Sequence, residues 1–322
     1  MDPTFFELVS TAHSPATDPH LHVWGWEIPV YLFLGGFTAG IMVLSGWALW
    51  RGRRNPRPHS TFSLASSGLF MVGLATISAG MLALFLDLGH KPYVWRLYLT
   101  VKPWSPMSWG SWILLLVYPV LFAGVSLDPP KVLIERLRAL RPVVDWMQAS
   151  PRLRQAVGFV SIVTGGALGI YTGILLSALG ARPLWSSGLL GPLFLVSGLS
   201  TAAAFEHWVS PEPEERAQLV RLDNLFLTAE LGLIVLMLVG LMSSTGTHAE
   251  AARLLLGGPY TAVFWVGVVF LGILLPLVIQ SLAVTHRVIH TKVAPILVML
   301  GGLALRFVIV SAGQLSHWPR LS

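Results

Sequence analysis

Cysteine is absent from all 322 residues. That excludes disulfides, thiolate-ligated zinc, iron–sulfur clusters and covalently attached c-type haem from this chain. Charge is scarce as well: Asp, Glu, Lys and Arg together make up 11%, against about 25% in an ordinary soluble protein. A soluble fold of this length could not cover its surface with so few charges. Hydrophobic residues reach 54% and mean hydropathy is +0.69, so lipid is expected to be the main solvent. The net charge is +6 and the pI about 10.0. In a soluble protein that balance would raise nucleic acid as a partner; here it has a topological cause and no nucleic-acid partner is expected.

A spanning helix needs about 20 mostly apolar residues. Eight segments qualify, at about 28–50, 62–86, 107–127, 156–180, 188–205, 220–243, 259–285 and 293–314. The expected fold is therefore an all-α integral membrane protein with eight transmembrane helices over 28–314. A tail over 1–27 precedes them, a basic loop lies at about 128–155, and a second tail covers 315–322. Lys and Arg concentrate in cytoplasmic loops. The first, third, fifth and seventh loops carry 14 of these residues, and the remaining loops and tails carry 6. Both termini are thus expected on the periplasmic side of a bacterial inner membrane. Residues 1–26 show no basic stretch followed by an apolar run, so no cleavable signal is expected. The basic third loop is expected to hold a short amphipathic helix around Val132–Met147.

Glycines recur inside the apolar runs, as Gly36-xxx-Gly40 and as Gly165, Gly169 and Gly173. Such spacing lets helix backbones approach closely, and packing alone accounts for it. A weak repeat relates Leu32–Gly40 to Leu193–Ala202. Two parallel four-helix halves would produce it, and so would chance similarity between apolar helices.

Ionisable groups inside a membrane cost about 2.5–3.5 kcal/mol each on insertion scales. With the orientation above, Glu27, Tyr31, Asp87, His90, Tyr171, Arg306 and Gln314 all fall in the outer half of the membrane. Their convergence at one depth points to a polar pocket suited to a quinone headgroup, whose carbonyls need hydrogen-bond donors and whose redox change needs a proton partner. Tyr171 is the expected donor, Asp87 or His90 the proton relay, and Arg306 the electrostatic partner of Asp87. Simpler roles exist for each: Glu27 and Gln314 facing water at helix ends, and Asp87 capping the next helix. Glu206, Asp223 and Glu230 lie toward the inner side and mid-depth, where they would form a proton path. Asp223 and Glu230 equally suit the packing of polar partners, being seven residues apart on one helix face.

None of the ten histidines lies mid-membrane, so axial ligation of a b-type haem is not expected. Nor is a metal site expected. A quinone pocket without an electron carrier implies a partner subunit with a redox centre near the outer face. Trp104, Ser108 and Trp109 in the second loop are the surface expected to meet it. A secondary transporter is the competing reading, since eight helices and buried acids would suit one as well.

Several stretches resemble the membrane-anchor family of polysulfide reductase and its relatives, the NrfD/PsrC-like subunits. They are Trp26–Gly36, Leu86–Gly89, Ser105–Trp112, Tyr171–Leu176, Leu193–Ala204, Asp223–Glu230 and Leu305–Gln314, which together span nearly the whole chain. The resemblance implies an eight-helix subunit that exchanges electrons with menaquinone or ubiquinone on its outer side and holds no cofactor of its own. It also implies a ferredoxin-like iron–sulfur partner and commonly a molybdopterin catalytic subunit. Some relatives carry an Asn and a His in the first helix near the quinone; this chain offers Glu27 and Tyr31 there.

Overall fold

A computed structural model describes residues 24–53, 62–129, 141–284 and 292–317. The N-terminal tail before Trp24 and most of the proposed Val132–Met147 helix lie outside these described residues.

Every described element is helical. α1 is Glu27–Trp50 and α2 is Ser67–Asp87. A single 3-10 turn, Lys91–Tyr93, leads to the short α3, Trp95–Leu99. Then follow α4, Pro106–Ser126, α5, Arg141–Ala149, and α6, Pro151–Ser177. α7 is Leu190–Val209, α8 is Pro213–Met242 and α9 is Gly246–Leu256. A π-wound stretch, Val263–Leu274, continues into α10, Leu275–Val284, and α11 is Val293–Leu315.

Two starts differ from expectation for a visible reason. α6 begins at Pro151 and α8 at Pro213. Proline suits a first helical turn because its missing N–H has no intrahelical partner there. The polar first turns that follow, with Arg152 and Arg154 in α6 and Glu214 to Arg221 in α8, hide these starts from an apolar-run criterion. α5 is the C-terminal, described end of the amphipathic segment. It buries Val144 and Met147 against the protein while Trp146 stays exposed.

Among the described residues, seven helical spans are long and apolar enough to cross a membrane: Glu27–Trp50, Ser67–Asp87, Pro106–Ser126, Pro151–Ser177, Pro213–Met242, Val263–Leu282 and Val293–Leu315. Large apolar side chains such as Leu116, Phe122, Leu236 and Val278 point outward and exposed, whereas Asp223, Glu230 and Arg306 are buried. That inversion of the soluble pattern is what a lipid surround dictates. α7 falls outside the seven because Ser197, Ser200, Thr201, Glu206 and His207 dilute its hydropathy. Its neighbours cover those residues, and all five are buried. A helix shielded by protein does not need a lipid-compatible surface.

The helices form two groups of four. α1, α2, α4 and α6 pack together, and so do α7, α8, the Val263–Val284 helix and α11. The groups meet where α1 crosses α7, with α6 and α11 flanking. At that crossing a Cβ on Gly40 would overlap the Gly198 carbonyl oxygen, and a Cβ on Gly198 would overlap the carbonyl of Gly36. The Gly36-xxx-Gly40 pair thus sets the distance between the bundles. α1 also lies close on α6, where the Ser161 hydroxyl donates to the Met42 carbonyl at 2.7 Å. The two stretches of the weak repeat form the first helix of each bundle and touch at this crossing.

Candidate functional site at the N-terminal end of the first helix

The N-terminal end of α1 and the C-terminal end of α2 lie side by side, since consecutive long helices alternate in direction. Glu27 and Asp87, both half-buried, are electrostatic neighbours there. One turn deeper on α1, Tyr31 is buried, and α2 passes so close that a Cβ on Gly80 would stand 3.6 Å from its ring. Tyr31 interacts electrostatically with Tyr171 of α6 and Tyr98 of α3. Tyr171 is buried too, and its phenol end abuts the backbone of α4: a Cβ on Gly110 would overlap both its Cζ and its hydroxyl oxygen. Glycine at 110 is therefore a steric condition for the position of Tyr171. Among the described residues, neither the Tyr31 nor the Tyr171 hydroxyl is engaged in a hydrogen bond. Two buried phenols under a carboxyl-bearing rim can donate to a ligand carbonyl and pass a proton to that rim.

Tyr98 had no signal beyond its place in an aromatic-rich loop. Half-buried beside Tyr118, its phenol is pushed above its ordinary range by burial first and by that neighbour second. It keeps its proton at neutral pH and is a third donor at the rim.

The expected site residues separate in the structure. Glu27, Tyr31, Asp87 and Tyr171 come together. His90 follows the end of α2 and is exposed in the loop. The amide of Gln314 is taken up by the backbone of Trp24: the Trp24 N–H donates to its oxygen at 3.1 Å and its nitrogen donates to the Trp24 carbonyl at 3.0 Å. Gln314 thus pins the start of the chain to α11. Trp24 stacks on Trp185 at 5.2 Å, and the Trp185 indole donates to the Ile309 carbonyl at 2.8 Å.

Arg306 also leaves the expected group. It sits in the second bundle, donating to the Ser197 hydroxyl, to the Phe194 carbonyl at 2.9 Å and to the Gly302 carbonyl at 3.1 Å. Its guanidinium lies 4.9 Å from the Phe194 ring centroid, and its charge faces Glu230 rather than Asp87. The second-loop residues also divide. Trp104 is 94% exposed. Trp109 is exposed but tied by its indole to the Pro103 carbonyl. Ser108 is buried, donating to the Thr100 carbonyl at 3.0 Å and accepting from the Lys102 N–H at 3.2 Å. It clamps the loop rather than offering a surface.

The family model "Polysulphide reductase, NrfD" matches residues 13–317. The chain belongs to the NrfD polysulphide reductase family. It is 30% identical over 306 residues to one chain of the polysulfide reductase of Wolinella succinogenes, covering 91% of this sequence and 94% of that one. It is 31% identical over 319 residues to the NrfD homolog of Haemophilus influenzae, covering 94% and 97%. It is 26% identical over 282 residues to one subunit of the tetrathionate reductase of Salmonella typhimurium, covering 87% and 75%. As an NrfD-family protein with this helical composition, it is a multi-pass membrane subunit of the reductase-complex class.

Proposed function

We propose that this NrfD-family chain is the quinone-reactive membrane anchor of a respiratory oxidoreductase complex. Quinone or quinol, of the menaquinone or ubiquinone class, binds among Tyr31, Tyr171 and Tyr98 beneath Asp87 and Glu27. The observation that carries this reading is the Tyr31–Tyr171 pair, buried in the first bundle with neither hydroxyl hydrogen-bonded among the described residues. Tyrosine hydroxyls donate to the quinone carbonyls, and Asp87 exchanges the redox proton with outer water over a short path. A bound quinone supplies the two-electron redox couple; the chain binds it, orients it and moves protons.

The electrons go to or come from another subunit, because a chain without cysteine holds no iron–sulfur cluster. A ferredoxin-like iron–sulfur subunit is the partner proposed, seated on the outer loop around the exposed Trp95 and Trp104. A molybdopterin catalytic subunit lies beyond it. The relatives' names, which are those of polysulfide, tetrathionate and selenate reductase subunits, support that assembly.

In this reading α7 is an eighth crossing and both termini are periplasmic in a bacterial inner membrane. Reporter fusions in the loops after α1, α4, α7 and α10 are then expected to report a cytoplasmic position. A periplasmic signal from the loop after α4 contradicts the depth assignment. Purification of the intact complex tests the partners: subunit mass spectrometry and metal analysis are expected to find iron in a co-purifying subunit and none in this chain. Haem or iron bound stoichiometrically to this chain defeats the proposal.

A further inference from the structure

The buried acids of the second bundle face protein donors or one another. Asp223 accepts from Ser200 at 2.6 Å and from Gln280 of α10 at 2.7 Å, the Ser197 hydroxyl hydrogen-bonds Glu230, and Glu206 neighbours Glu215. A different set of charged groups faces outward, at the C-terminal end of α1. There the helix closes in a tight turn. Gly52 adopts φ +73°, a region glycine enters without steric cost. Its N–H donates to the Leu49 carbonyl, and the Arg53 N–H to the Ala48 carbonyl, both at 3.0 Å. The turn brings Arg53 back beside Arg51, and the two guanidiniums stand 5.3 and 5.4 Å from the Trp47 ring centroid. That is cation–π range, so one indole seats both charges.

The start of α6 lies against this turn. A Cβ on Gly158 would stand 2.6 Å from the Gly46 carbonyl oxygen and from the Trp50 nitrogen, and one on Gly52 would stand 3.8 Å from the Gln155 amide nitrogen. That contact sets the end of α1 level with the first turns of α6. Arg152 is exposed there, three residues before Gln155 and on the same helix face. α5 joins α6 at Ser150, whose hydroxyl accepts from the Leu153 N–H at 3.3 Å. With Val144 and Met147 buried, α5 leaves Trp146 64% exposed, and Trp50 at the end of α1 is 48% exposed. Arg51, Arg53, Arg141, Arg152 and Arg154 outnumber the acids Asp128 and Asp145 at these helix ends. Among the described residues, no carboxylate pairs with Arg51, Arg53 or Arg152.

Topology asks only that basic residues gather on one side of the membrane. It does not ask for a glycine-closed turn that seats two guanidiniums on one indole beside a third arginine. We propose that this end of the first bundle binds the headgroup of an anionic phospholipid. Arg51, Arg53 and Arg152 take the phosphate oxygens, which suit the planar guanidinium fork. Trp50 and Trp146 lie beside them at the headgroup level, where exposed indoles of membrane proteins concentrate. Positive charge matches the anionic lipid, and the amphipathic α5 lies along the membrane surface to complete the site. The proposal needs neither the quinone reading nor a particular orientation of the chain, because both membrane faces present headgroups.

The test places the intact complex in phosphatidylcholine nanodiscs with a trace of phosphatidylglycerol that carries a photoreactive diazirine on its headgroup. Peptide mapping is expected to find the label on segments 47–53 and 141–155, reduced by excess unlabelled phosphatidylglycerol and untouched by inorganic phosphate. A phosphatidylcholine with the same diazirine is expected to label these segments only as much as their lipid-facing neighbours. Arg51→Gln, Arg53→Gln and Arg152→Gln are each expected to lower the competable label about fivefold, the usual worth of one basic residue at an anionic surface, and the triple variant about 10²-fold. Lysine at the same three positions keeps the charge and is expected to hold the label within about twofold of the parent. Equal labelling by the two lipid probes overturns the proposal, as does a triple Gln variant labelled like the parent. Competition by inorganic phosphate overturns it too, since the site is then one for free anions. So does absence of label from both segments, the result expected if a protein partner covers this end. If a Gln variant fails to assemble, the two probes and the competition on the parent complex decide.

Discussion

Asp87→Asn and Tyr171→Phe are each expected to lower quinone-linked turnover by about 10²-fold or more, the usual range for removing a positioned acid–base group. Both substitutions keep the side-chain shape. Asn at 87 cannot accept the redox proton, and Phe at 171 still rests on Gly110 but has no hydroxyl to donate. Electron transfer from the partner's clusters to a soluble artificial acceptor is expected to survive, because that route bypasses the membrane pocket. A parallel loss of both activities would instead indicate lost docking or misfolding.

Arg306→Met is expected to cost about 3–5 kcal/mol of stability, the typical effect of removing one partner of a buried charge pair. The side chain is buried at the α7–α8–α11 junction, and Ser197, the Phe194 carbonyl and Glu230 all look to it. Removing the guanidinium leaves Glu230 buried without its cation. Combining Arg306→Met with Glu230→Gln should recover much of the loss, because the uncompensated charge goes too. Unfolding of the detergent-solubilised complex, followed by helical circular dichroism, measures both. A near-neutral Arg306→Met would contradict the pairing.

The helices were legible because lipid-length apolar runs leave few alternatives. What the runs concealed were their polar ends. Arg152 in α6 and Glu215 in α8 read as loop residues and are helical, and Glu206 and His207 fall in the closing turn of α7, just past the expected 188–205 run. Apolar runs give a residue's place along its helix but not its lateral position. Tyr31, Arg306 and Gln314 are expected at one depth, and sequence gives no second coordinate to show that α1 and α11 belong to different bundles. Arg306 therefore joined Asp87 on paper and Glu230 in the fold. Gln314 looked like a ligand donor because its backbone partner, Trp24, is 290 residues away. The serines opposite the α8 acids carried a faint signal. Ser197 and Ser200 are three apart and share a helix face, and Gln280 is an amide in an otherwise apolar run. Gly110 could not have been found, because its role exists only once Tyr171 is laid against it.

The most direct test of the central claim is photolabelling of the intact complex with an azido-quinone, followed by peptide mapping. Label on peptides containing Tyr31, Asp87 to Tyr98, Gly110 or Tyr171, reduced by competing quinone, is the result expected. Competable label confined to the second bundle, on α8, α10 or α11, would contradict the assignment of the pocket.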